Sequence, residues 1–321
     1  MQTNNHHPFL DQPRFADMSQ GIEEIERWLH DLLRQGLAVL PDQPRDYWDF
    51  ISKRMVDLKL PSLARRINHL QSIILKTTSE PPFQKILPEL SEIGLLINSF
   101  QRIKSLPAPM QREILLQLGW NVRKEELESI KPITDHWLVV GSATGQEEKL
   151  NFRKTWLWPF QTSRPAMLLE FAWKGQSFSD QPDTGSIIHA EMTFYPGSFS
   201  FRAQTGKLFD TQIDTFKSRF GDGNINTFFK RYSQVGTRNP WIIDFPVVLN
   251  EVIPVYCKGE YYLIDNEKNS IPVSNSVQEA MRLLILSANN PSSVFGEWNG
   301  EIFIPLTFIR PNTLLPLHWP L

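Results

Sequence analysis

Ile130-Lys131-Pro132-Ile133-Thr134-Asp135-His136-Trp137-Leu138-Val139-Val140-Gly141 is the stretch at which the chain changes texture. Before Pro132 the apolar residues recur at three- and four-residue steps. After it they come in short β-rich runs bounded by turn residues, so a helical half is followed by a sheet-bearing half.

Working back from Pro132, Ile22, Ile25, Leu29, Leu32 and Leu33 form one apolar stripe, capped by Asp17 or Ser19 and stopped by Gly36. Pro44 opens a second helix with Trp48, Ile51, Met55 and Leu58, and Pro61-Ser62 a third with Leu63, Ile67, Leu70 and Ile74. Phe83–Ser105 reads as a fourth and Ala108–Leu118 as a fifth, ended by Gly119. Five amphipathic stripes must bury one another, which gives an all-α domain over residues 17–131 behind a polar leader, 1–16, expected to be disordered.

Forward of Pro132, Trp137–Gly141, Thr155–Trp158, Met167–Trp173 and Ile187–Tyr195 read as strands. Helical pattern returns at Asp210–Arg219, Ile225–Ser233 and Ser276–Ser287. Strands resume at Trp241–Asp244, Glu260–Ile264, Ile271–Val273 and Ile302–Leu306, with Asp265–Asn269 as a hairpin turn. The expected fold class is therefore α+β: an N-terminal all-α domain, then a mixed, mainly antiparallel β domain with inserted helices over 132–321.

Composition narrows the function classes. The 321 residues carry 33 Lys+Arg against 35 Asp+Glu, and the pI is near 6.4, which argues against a domain driven onto nucleic acid by charge. The single cysteine, Cys257, cannot form an internal disulfide or a Cys-rich zinc site, and a reducing cytoplasm is the expected compartment. The first residues lack a signal-peptide pattern, and no apolar run approaches a membrane span.

Candidate chemistry is sparse. The seven histidines, His6, His7, His30, His69, His136, His189 and His318, include no HExxH spacing, so no metal ligands and no cofactor are assigned. Asp265, Glu267 and Asn269 mimic the start of a calcium loop, but Ser270 and Ser276 stand where Gly and Glu are required. Gly221-Asp222-Gly223-Asn224 lacks the third Gly of a dinucleotide loop and reads as a connection between helices. Cys257 beside Lys258 is read as a packing residue, with a nucleophile as the alternative. Asp135 and His136, adjacent on an extended chain, point to opposite faces and make a poor dyad. No catalytic residue is assigned.

One segment has the character of a surface. In Phe152-Arg153-Lys154-Thr155-Trp156-Leu157-Trp158-Pro159-Phe160, a strand puts Phe152, Lys154, Trp156, Trp158 and Phe160 on one face. Arg153, Lys154, Trp156 and Trp158 are the candidate interaction surface, for a protein partner or for stacking single-stranded nucleic acid. The competing reading is a sheet face buried in the core. Phe228-Phe229-Lys230-Arg231-Tyr232 is expected to pack its two Phe inward and solvate Lys230 and Arg231; Arg65-Arg66 is read as a helix's polar face.

These motifs fall in a familiar order: Ile25–Ala38, Met55-Val56-Asp57, Pro61–Arg66, Leu118-Gly119-Trp120, Asp135–Val139, Thr155–Trp158, Phe194–Gly197, Glu297–Gly300 and Ile304-Pro305-Leu306. The series resembles the region downstream of the zinc finger in large bacterial SWIM zinc-finger proteins, from about Asp17 onward. The Cys-x-Cys…Cys-x-His finger of those proteins is missing, the chain starting where it would end, so its zinc is not carried over. The resemblance implies a non-enzymatic interaction or scaffold protein. Its implied partners are a MoxR-type AAA+ ATPase, a von Willebrand A-domain (VWA) protein or a SWIM finger on a separate chain. Nucleic-acid binding through Arg153–Trp158 is the alternative, and no membrane partner is expected.

Overall fold

The structure is a computed structural model, and it describes Phe9 and residues 12–76, 83–147, 150–173, 175–212, 220–274 and 277–318. The chain divides into two compact units. One comprises residues 1–122 with 196–198; the other comprises 123–195 and 199–321.

The first unit is a helical bundle of α1 (Pro13–Gln35), α2 (Arg45–Asp57), α3 (Pro61–Lys76), α4 (Phe83–Gln101) and α5 (Ala108–Gln117). The expected stripes build its core: Ile22, Ile25, Leu32, Met55, Leu63, Ile67, Ile86, Ile93 and Ile97 are all buried. Leu33 is an exception and faces solvent, as does Leu87 of α4. Helix α1 begins at Pro13, ahead of the expected Asp17 or Ser19. Proline at the first helical turn forfeits no hydrogen bond, and the extra turn buries Phe15 and Met18, with Phe15 stacked on Phe100 at 5.0 Å. Gly36 ends the helix at φ 86°, its N–H donating to the carbonyl of Leu32.

The second unit opens with a short helix, α6 (Lys124–Glu128), absent from the sequence reading. Five strands follow: β1 (Ile133–Glu147), β2 (Leu150–Pro159), β3 (Ala166–Trp173), β4 (Ile187–Phe194) and β5 (Ala203–Gln212). They form an antiparallel sheet in the order β3-β2-β1-β4-β5. Next come α7 (Ile225–Gly236), β6 (Phe245–Cys257), β7 (Glu260–Ile264), β8 (Ser270–Val273), α8 (Val277–Ser287), β9 (Ser292–Trp298), β10 (Phe303–Arg310) and β11 (Thr313–Pro316). Strands β6, β7 and β8 form a meander, β9 pairs with the free side of β6, and β10 pairs with β9. At Phe303, β10 also meets Val273 of β8 in parallel, closing a ring of strands that β11 extends.

Alternation along β1 and β2 gives the first sheet two apolar faces. Trp137, Val139, Leu157, Ile188 and Met192 form one core, while Leu138, Val140, Trp156 and Ile187 join Phe245, Val247, Phe295 and Phe303 of the ring in the other. At Gly141 the layers come so close that a Cβ would lie 2.6 Å from Thr307 Oγ1 and 3.1 Å from Phe295. Two expectations are corrected. The helix expected at Asp210–Arg219 gives way to β5 as far as Gln212, residues 213–219 lying outside the described residues. Trp241–Asp244 is irregular and the strand starts at Phe245, so the strand lies a few residues later than its aromatic signal.

In the helical unit Arg54 of α2 donates from Nε and Nη2 to both oxygens of Glu24 on α1, each at 2.7 Å. This hydrogen-bonded guanidinium lowers the Glu24 carboxyl from 4.5 to about 2. A depressed carboxyl stabilises the fold above its unfolded value and loses that contribution as pH falls toward 2. The pair is partly exposed and screened, so Glu24→Gln should cost about 1 kcal/mol at pH 7. Urea midpoints of the two proteins should differ at pH 7 and converge toward pH 3; an equal gap at both pH values contradicts the pairing.

Candidate functional site

Strand β2 lies between β1 and β3, and the register defines rows of side chains on one face. Trp156 stands opposite Gly141 and Met167, Lys154 opposite Ala143 and Leu169, Phe152 opposite Gly145 and Phe171, and Leu150 opposite Trp173. The first row is sealed under the ring of strands. Trp156 is fully buried, edge-on to Phe201 and Phe295. Trp158 packs on the same core, tilted against Phe220 at 5.5 Å.

Lys154 marks the border. Its ammonium donates to Glu297 Oε2 at 2.7 Å and lies 3.1 Å from Asp244 Oδ2, while the indole N–H of Trp156 donates to Glu297 Oε1 at 2.7 Å. Both carboxylate oxygens of Glu297, whose side chain is only 3% exposed, thus have donors. Burial, helped by the charge of Asp244, raises the Glu297 carboxyl against the pull of Lys154. Burial works to lower Lys154, and the two carboxylates outweigh it, holding the ammonium above its ordinary range. The cluster is a charged tie between the sheet and β9, so two motifs separated by 141 residues, Thr155–Trp158 and Glu297–Gly300, meet in space.

Beyond Lys154 the face is open. Phe171 is 49% and Trp173 61% exposed, beside the half-buried Leu150 and Phe152. With no Cβ on Gly145, the Phe152 ring lies directly against β1. Four large apolar side chains on adjacent strands make a contiguous patch of the kind that mediates protein contacts.

The expected surface at Arg153, Lys154, Trp156 and Trp158 is therefore corrected. Trp156 and Trp158 are core residues, Lys154 is spent on Glu297 and Asp244, and Arg153 on the opposite face grips Glu170 at 2.5 and 2.9 Å and the Ser179 carbonyl. The interaction-capable part of the stripe is its Phe152 end. Phe171 and Trp173 lay within an expected strand, and only the β2–β3 register shows that they continue the stripe.

Other candidates take structural places. Asp135 is buried and accepts from the backbone N–H groups of His136, Gln161 and Thr162, fastening the turn after β2. Asp265 accepts from the N–H groups of Glu267 and Asn269 in the β7–β8 turn and of Ile225 at the start of α7, while Asn224 caps Thr227. Gly221–Asn224 is thus a capped helix entry. Arg231, expected to be solvated, holds Asp222 and the Pro246 carbonyl because α7 lies against β6; of the two Phe only Phe228 is fully inward. Cys257, expected to pack in a core, is exposed ahead of Lys258-Gly259, a two-residue turn with both φ positive. Arg66 is held between Glu89 and Glu92. Among the described residues no three His, Cys, Asp or Glu side chains are placed to hold a metal ion together, and no helix is long and apolar enough to cross a membrane.

The Trp156 indole tests the charged tie. Trp156→Phe keeps a large ring but leaves Glu297 Oε1 without its donor, and should cost about 1–3 kcal/mol in urea unfolding. An unchanged midpoint would show that the hydrogen bond contributes nothing.

No curated protein and no solved structure matches the chain. Residues 13–118, which span α1 to the end of α5, match the family model of the SWIM-associated four-helix bundle domain, so the resemblance read from the sequence holds for the helical unit.

Proposed function

We propose that the chain is a non-enzymatic interaction or scaffold protein of the cytoplasm, an accessory of a MoxR-type AAA+ ATPase acting with a von Willebrand A-domain protein. The observation that supports this most is the open apolar end of the first sheet, Leu150, Phe152, Phe171 and Trp173, on a rigid three-strand platform. Aromatic side chains held on strands lose little entropy when a partner covers them, which suits such a patch to the energetic centre of an interface. The SWIM-associated bundle supports the choice of partner class, because the resemblance implies such assemblies. Nucleic-acid binding through Arg153–Trp158 is the weaker proposal, since those side chains are engaged within the unit.

The test is co-purification of the tagged chain with ATPase and VWA candidates, followed by titration of the partner that is retained. The double variant Phe171→Ala/Trp173→Ala should bind at least tenfold more weakly while its thermal midpoint stays within a few degrees of the parent. Undiminished affinity in that variant removes the patch from the interface, and intrinsic turnover by the chain alone overturns the scaffold reading.

A further inference from the structure

We propose that the open edge of β3, from Leu169 to Trp173, receives an extended peptide segment of a partner protein as an added β-strand. The inference rests on reading Leu150, Phe152, Phe171 and Trp173 as an interface, and it names the form of partner that fits there. Strand β3 is the outermost strand on its side of the first sheet. Along an antiparallel pair, residues alternate between those that exchange backbone hydrogen bonds and those whose N–H and C=O groups turn away. Two bonds fix the alternation in β3. The Met167 N–H donates to the Phe201 carbonyl at 2.7 Å, and the Trp173 carbonyl accepts from the Gln176 N–H at 2.8 Å, so these residues turn away from β2. Leu169 and Phe171, at the same parity, therefore present N–H and C=O groups outward, and Trp173 presents its N–H. Among the described residues no backbone hydrogen bond satisfies these groups. The bridge between Met167 and Arg202 closes the edge at one end, so the free row starts at Leu169.

The residues that carry the free backbone groups also carry the patch. Leu169, Phe171 and Trp173 stand opposite Lys154, Phe152 and Leu150 and share their face. A strand added at this edge sets every second side chain beside Phe171 and Trp173, where cross-strand contacts form. On the other face Glu170 is neutralised by Arg153, so this edge offers no free charge to a ligand. A segment with an uncharged, apolar residue at every second position complements it. Backbone pairing then supplies affinity, and the alternate side chains supply specificity. The other sheet edges are guarded. Strand β5 carries Lys207 and twice shifts register against β4, and β11 has four residues and ends at Pro316. Charges, bulges, prolines and shortness all keep an edge from pairing, and the outward row of β3 has none of them.

The probe is a displayed library of random peptides, selected on the immobilised full chain. Recovered peptides should carry apolar residues at every second position, and Leu169→Pro should weaken their binding about tenfold, the loss of one backbone hydrogen bond. Proline there removes an N–H that β2 does not use, so the thermal midpoint of the unbound chain should stay within a few degrees. The tightest peptide is also synthesised with one N-methyl group at a time, which needs no variant of the protein. Methylation should abolish binding at alternate positions only. Affinity that survives Leu169→Pro and every N-methyl group, yet falls in Phe171→Ala/Trp173→Ala, overturns the added strand and leaves the patch as an interface. Affinity that survives all of these changes overturns both readings. Apolar residues recurring at three- and four-residue steps, a dimer of the chain alone that Leu169→Pro dissolves, or failure to recover any peptide also overturns the proposal.

Discussion

A carboxylate almost sealed from water, Glu297, ties the first sheet of the second unit to the ring of strands beside it. Removing such a group from water costs several kcal/mol, offset only where each oxygen finds a donor in good geometry. Lys154 and the Trp156 indole supply those donors from alternate positions of one strand, which holds only if β2 keeps its register. A slip of one residue would turn Trp156 to the other face and leave Glu297 buried and unpaired. The tie therefore selects one arrangement of the layers more than it adds stability.

That constraint divides the aromatic stripe of β2 into two parts with different uses. Up to Lys154 it is roofed by β6, β9 and β10; past Lys154 the roof ends and the same pleat carries Phe152, with Phe171 and Trp173 beside it, into solvent. The sheet thus serves as core at one end and as a platform at the other. Across the same sheet, β1 and β4 bring together two histidines that no local spacing connects. In this unit strand pairing gives side chains that are unremarkable in sequence their neighbours.

This explains what could be read from the sequence. The stripes of α1 to α5 were legible because helical periodicity is local, and so were β2, β3, β4 and the Asp265–Asn269 turn. The ordered motifs of the helical half pointed correctly to the SWIM-associated bundle. The start of α1 was misplaced because Asp17 and Ser19 are good caps in isolation, whereas burial of Phe15 extended the helix backwards. Strand β6 was obscured by Pro246 and Pro254, which interrupt its pattern, and Asp210–Gln212 follow a pattern that reads as helix but pair with β4. Alternation correctly divided β2 into two faces, yet it carries no information on how far along the strand a face stays covered. Glu297 was seen only as part of a motif; its partner Lys154 lies 143 residues away, a separation at which sequence spacing says nothing.

The account rests on Glu297 and Lys154 being mutually dependent, and a double-mutant cycle measures that dependence directly. Lys154→Met leaves the buried Glu297 carboxylate without its counter-charge and should destabilise the protein by about 3–5 kcal/mol, whereas Glu297→Leu leaves Lys154 paired with Asp244 and should cost less. The double variant, which has neither charge, should lose far less than the sum of the two. Strictly additive losses would mean that the two side chains act independently and that the tie between the layers is not what sets the fold.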